Sequence, residues 1–252
     1  MRAGRVEVAV FTLAVLLAGA ASALVVPPGQ TPDEGLCFLR AYHVADGHHV
    51  PETFDGWGGG RFPPGVVRIV VAPHRMADHP EEKFTAADWR ELAALDAGGE
   101  LRVFTYFTAA PYTCVPFLPQ AAGIRVARAL GGGPLAAFYA GRVANLLFGT
   151  ALVALSLAVA PAGRRFLGLV ALSPMTIHLL GSHAPEVGVI GAALLIPAVV
   201  LRLTLADRRA AWWEVGVLVL AAAWVGASKP PYLPLAALVL AVPAARFGGR
   251  VG

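Results

Sequence analysis

Two adjacent carboxylates, Asp33 and Glu34, follow an apolar run, Val6–Val26, that only Glu7 interrupts. Carboxylates cost little in headgroup water and a great deal in hydrocarbon, so this pair marks a place where polar chemistry meets a membrane. A carboxylate so placed can act as a general base toward an acceptor hydroxyl, or as a ligand for a divalent metal carried by a phosphate donor. The pair also suits a helix N-terminus. Thr31 as cap, Pro32 at the first helical position and Glu34 three residues after the cap form a capping-box pattern. The cap accounts for Glu34 more fully than for Asp33, which makes Asp33 the stronger catalytic candidate.

Other polar residues extend the set. Arg40, six residues after Glu34, can pair with the acids, bind phosphate or stay solvated. Arg142 and Asn145 sit one turn apart near the outer end of a second apolar run. A charge at that depth costs about 2.5–3.5 kcal/mol on insertion scales, so it implies a function, a buried partner or snorkelling to the interface. Lys229, within Ser228–Tyr232, can hold a lipid phosphate or anchor the interface together with Tyr232. Neither His178, His183 and Glu186 nor His43, Asp46, His48 and His49 has a diagnostic metal-ligand spacing. Cys37 and Cys114 are the only cysteines, and both precede the second apolar run; they admit a disulfide in an oxidising compartment or two buried thiols.

The elements that position these residues follow from composition. The 252 residues are 57% hydrophobic and 14% charged, against roughly 25% charged in soluble proteins, with a mean hydropathy of +0.64. Twelve of the 16 acidic residues fall within Pro27–Pro134, with nine of the 20 basic ones. This segment is net negative, so the pI near 9.4 does not point to nucleic acid. The distribution predicts an all-α, polytopic membrane protein: one membrane domain over residues 1–252, with a first span at 6–26, a large helical extracytoplasmic loop at 27–134 and five more spans in 135–252. The candidate spans are Val6–Val26, Leu135–Ala160, Phe166–Gly181, Val187–Leu205, Ala210–Gly226 and Tyr232–Ala245.

Lys and Arg set the orientation. With the N-terminus in the cytoplasm, Arg2, Arg5, Arg164, Arg165, Arg202, Arg208, Arg209, Arg246 and Arg250 lie inside, and the short outer links carry only Lys229. Arg2, Arg5 and Ala21-Ser22-Ala23 also fit a cleaved signal peptide, although the apolar run is long for one. Within the loop, three helices are expected: one from Thr31 to the stop at Gly47, one opened by Thr85–Asp88 and closed at Gly98-Gly99, and one over Pro119–Leu130 ended by Gly131–Gly133. Gly56–Pro64 is expected to be an ordered loop. Nucleotide-hydrolysis, serine-hydrolase and zincin motifs are absent.

The pattern P-x(4)-PDE-x(5)-RAY-x(3)-DG at Pro27–Gly47 resembles the opening of the bacterial multi-pass family known as domain of unknown function 2142. Pro116–Gly123, Gly141–Asn145, Leu172–Met175 and Ser228–Tyr232 fit the same family in order and spacing. That family looks like the C-type glycosyltransferases, which use a polyprenyl-phosphate sugar as donor and place an acidic residue just after the first span. The resemblance implies Asp33 and Glu34 as catalytic residues, and Arg40, Arg142, Asn145, Lys229 and Tyr232 as substrate-binding ones. It implies a bilayer and a polyprenyl-phosphate sugar as partners, and a cell-envelope acceptor outside the cell membrane. Cys37 stands where the family usually has a His, and Gly181–Glu186 replaces an Asp-containing turn. The family normally continues through more spans, so the chain is expected to be an N-terminal part. The alternative expectation is a non-catalytic or truncated membrane protein in envelope polymer transport or assembly.

Overall fold

The computed structural model describes residues 2–76, 79 and 81–248. The side chains of Arg2 and Pro230 and the segment Arg250–Gly252 lie outside the described residues. Among the described residues there are ten α-helices: α1 (Arg2–Val25), α2 (Glu34–Ala45), α3 (Pro64–Val71), α4 (Ala86–Ala93), α5 (Leu118–Ala129), α6 (Pro134–Val159), α7 (Arg164–Ala171), α8 (Pro174–Leu180), α9 (Glu186–Leu205) and α10 (Trp212–Ser228). Among the same residues, three strands, β1 (Glu52–Phe54), β2 (Trp57–Phe62) and β3 (Arg102–Thr105), form one antiparallel sheet in that order.

Among the described residues, three helices are long and apolar enough to cross a membrane: Gly4–Val25 within α1, all of α6 and all of α9. The third expected span is not one helix. It is α7 and α8, of 8 and 7 residues, parted where Pro174 starts a new helix. The sixth is a 3₁₀-helix over Pro230–Ala241 with Pro234 inside it. A proline there removes an amide donor and disfavours α-helical continuation.

Two compact units divide the residues. One comprises Gly19–Leu147 and His178–Pro185; the other comprises Met1–Ala18, Phe148–Ile177 and Glu186–Gly252. The first is built around α2, which is buried on nearly every side. Phe38, Leu39 and Tyr42 pack with Phe62, Val66, Ile69, Tyr106, Phe117, Ile124 and Phe138 in one core. The core of the second joins Leu195, Ile196, Val199 and Leu203 of α9 to Leu218, Ala221 and Val225 of α10.

Gly56–Pro64, expected as an ordered loop, is largely strand β2, paired on both sides in the sheet. Asp55 and Gly56 take positive φ values of 48° and 84° in the two-residue connection that pairs Phe54 with Trp57. Positive φ at both central residues is the turn that matches strand twist, and Asp-Gly favours it. Gly58–Gly60 looks like loop in the sequence, yet it is strand because backbone approaches closely there. A Cβ on Gly59 would stand 2.6 Å from the Phe104 carbonyl, and one on Gly58 would collide with Ala110.

The other loop elements form largely where expected. Thr85 caps α4, accepting from the Asp88 amide while Asp88 accepts from the Thr85 amide. The helix ends at Ala93, before Gly98-Gly99. Gly131, at φ 80°, follows α5 as a left-handed stop.

Candidate functional site

The site is built where α1 ends and α2 begins. The last carbonyls of a helix have no intrahelical donor and need partners. Here Arg142 of α6 supplies them. Its NH1 group donates to the Ala23 carbonyl at 2.6 Å and the Val26 carbonyl at 2.7 Å, and its NH2 group donates to Pro27 at 3.1 Å. The remaining donors go to Glu34: Nε to Oε1 at 2.8 Å and NH2 to Oε2 at 2.7 Å. All five N–H groups of the guanidinium are thereby engaged.

Glu34 is equally committed. Beyond the two bonds from Arg142, Oε2 accepts from the Gly29 amide at 3.1 Å and Oε1 from the His183 amide at 3.2 Å. Both side chains of the ion pair are fully buried. A fully bonded pair of this kind is stable, whereas removing one partner leaves an isolated buried charge. The knot ties α1, α2, α6 and the turn before α9 together within one unit. Asn145 adds to it, donating to the carbonyls of Ser182 at 2.8 Å and Ala184 at 3.0 Å.

This overturns the capping box expected at Thr31. Helix α2 starts at Glu34, its N-cap is Asp33, and no side chain caps it. The Glu34 carboxylate turns inward to Arg142 instead, because the charge on α6 demands a partner and the cap would leave it without one.

Asp33 is different. It takes a left-handed conformation, φ 59° and ψ 3°, and its side chain is exposed. Non-glycine residues adopt this region rarely, Asp more readily than most. It lines a cleft of about 460 Å³ with Gly29, Leu36, Val70, His74, Thr105 and Phe107 among its walls. The cleft brings a solvated carboxylate, an imidazole and apolar side chains into one lining.

The sequence profile of the family described as Predicted membrane protein (DUF2142) matches residues 16–250. The chain belongs to this family. No curated protein and no solved structure matches it.

The remaining candidates of this DUF2142 protein fall at other places. Arg40 is buried, neither paired with Glu34 nor solvated. It donates to the carbonyls of His48 at 3.1 Å and His49 at 2.6 Å, and lies over the Tyr106 and Phe117 rings. Burial pulls its pKa below the ordinary value. Lys229 forms an ion pair with Glu186 in the other unit, where Tyr232 packs against the α9–α10 core. Cys37 and Cys114 are thiols, not a disulfide. Cys37 is buried in the same core that Cys114 packs against, as the buried-thiol alternative describes.

The histidines build no metal centre among the described residues. His183 is buried between Phe38 and Phe138, its Nε2 2.9 Å from the Phe138 carbonyl. Burial depresses its pKa to about 4, so it is neutral. His43 is likewise depressed to about 4 by burial, next to His48 and Arg40, with Nδ1 2.7 Å from the Tyr106 hydroxyl.

His74, Thr105 and Phe107 escaped the sequence reading. No local spacing connects them to Asp33, since the fold of the loop alone brings them together. The aromatic content of the loop was the available signal.

Proposed function

We propose that this DUF2142 protein is a membrane glycosyltransferase that moves a sugar from a polyprenyl-phosphate donor to a cell-envelope acceptor on the extracytoplasmic side. The observation that carries the reading is Asp33, an exposed carboxylate at the wall of a cleft, held by a neighbour whose own carboxylate is locked to Arg142. Asp33 takes the proton from an acceptor hydroxyl as that oxygen bonds to the anomeric carbon. The bond from that carbon to the phosphate oxygen breaks, and polyprenyl phosphate leaves with the electron pair. Catalysis of this kind rests on positioning, and the Glu34–Arg142 knot supplies it.

The roles of the candidates change accordingly. Glu34, Arg142 and Asn145 are positioning residues, since their hydrogen bonds are committed inside the protein. His74 is the group at the cleft that can hold the donor phosphate. The residues present do not fit a protein-built metal centre: Glu34 is fully bonded, and no three candidate ligands gather among the described residues. Asp33 therefore acts as a base. The bias of arginine to one set of links supports an N-terminus in the cytoplasm and the 27–134 segment outside.

A second reading has one observation in its favour. The α7–α8 break and the 3₁₀ segment resemble helices interrupted where they line a pathway, which suits a non-catalytic role in envelope polymer transport. Proteoliposomes of the full-length protein, given polyprenyl phosphates with labelled sugars and a saccharide acceptor, separate the two. Transferred label with release of polyprenyl phosphate is expected; label carried across the bilayer without transfer favours the second reading and overturns the first.

A further inference from the structure

Two large aromatic side chains stand exposed beside the cleft. Trp57 at the start of β2 is 59% exposed and Phe107, just after β3, is 50% exposed. Their rings meet edge to face, with centroids 5.7 Å apart at 70°. The pairing is built in. The Tyr106 amide donates to the Gly58 carbonyl at 3.0 Å, and Gly58 packs without a side chain against Ala110. That contact fixes the residue before Phe107 to the residue after Trp57. Phe107 also lines the cleft with Asp33, Thr105 and His74.

We infer that the Trp57–Phe107 pair is a stacking platform for a neutral pyranose ring of the acceptor saccharide. This rests on the proposed transfer and names the class of ligand that the cleft takes. A pyranose has one apolar C–H face and a rim of hydroxyls. The aromatic faces suit the first. The Asp33 carboxylate and the Thr105 hydroxyl suit the second, within a cleft of the size that holds a small ligand. The exposed carboxylate at that wall disfavours an anionic ring at the same spot. Exposed aromatics side by side carry a hydration cost that a bound ligand removes. The platform thus selects the acceptor, while Asp33 deprotonates the hydroxyl the platform presents.

The test measures binding apart from transfer. Full-length protein in nanodiscs is titrated with fluorescently labelled neutral oligosaccharides of mannose and of galactose. Phe107→Ala and Trp57→Ala are each expected to weaken binding at least about tenfold, and Phe107→Trp to retain it. Asp33→Asn is expected to cut transfer by about 10²–10⁴-fold. Unchanged binding in both alanine variants overturns the platform even if Asp33→Asn cuts transfer, and so does wild-type protein that binds no saccharide. Brominated lipids that quench wild-type emission more than that of Trp57→Phe also overturn it, by placing the pair in the bilayer. Aromatic-dependent binding in a protein that transfers no label keeps the platform and removes the transfer reading.

Discussion

At the scale of single residues, two adjacent acids have opposite fates. Glu34 is buried and fully bonded, whereas Asp33 is exposed to the cleft. The difference is one of pairing. Arg142 sits in an apolar helix, and a guanidinium there needs a carboxylate more than a helix start needs a cap. Replacing Glu34 by Gln, or Arg142 by Met, is expected to cost about 3–5 kcal/mol, because each leaves the other charge buried and unpaired. The double replacement Glu34→Leu with Arg142→Met is expected to cost much less than the sum. Thermal unfolding in detergent checks this; additive losses would show that the two side chains act independently. The place of Asp33–Glu34 just after an apolar run was legible in the sequence. The partner of Glu34 was not, because 108 positions separate it from Arg142 and local spacing carries no trace of that contact.

At the scale of elements, the family motifs mark close approaches. In Pro116–Gly123, a Cβ on Gly123 would collide with the Ala140 carbonyl, so α5 lies against α6 only with glycine there. In Gly141–Asn145, a Cβ on Gly141 would collide with the His183 ring. In Leu172–Met175, Pro174 begins α8. Gly123→Val is therefore expected to displace α5 from α6, seen as faster hydrogen exchange in both helices with α4 unaffected. Protection equal to wild type in both would refute the close approach. Thr85→Ala is expected to cost about 1 kcal/mol through loss of the α4 cap, again read by exchange in that helix. The helix ends of the loop were legible because Thr, Asp and Gly caps are local signals. The sheet was missed because three consecutive glycines usually mean loop, and only the approach of β3 and Ala110 makes them strand.

At the scale of the whole molecule, membrane character was legible from composition, and among the described residues three helices have the required length and apolarity. Helix continuity was less legible, since prolines end apolar runs as short helices, as where Pro174 parts α7 from α8. Protonation acts at this scale too. His43 and His183 have pKa values near 4 in the folded chain, below the ordinary 6.5. The unfolded chain therefore takes up protons first as pH falls, and the stability present above about 6.5 is lost between about 6.5 and about 4. His43 faces Arg40, His48, Tyr106, Asp46 and Glu52, while His183 faces Glu34 and Arg142. Melting temperatures measured across that window are expected to fall with pH, and to fall less steeply in His43→Gln. A flat profile in the wild type would contradict the buried, neutral state of both rings.

The central claim is that Asp33 is the base of a sugar transfer. The direct measurement is the rate at which label moves from a polyprenyl-phosphate sugar to a saccharide acceptor, compared between wild type and Asp33→Asn at matched melting temperature. A loss of about 10²–10⁴-fold in the variant is the predicted result; equal rates would contradict it.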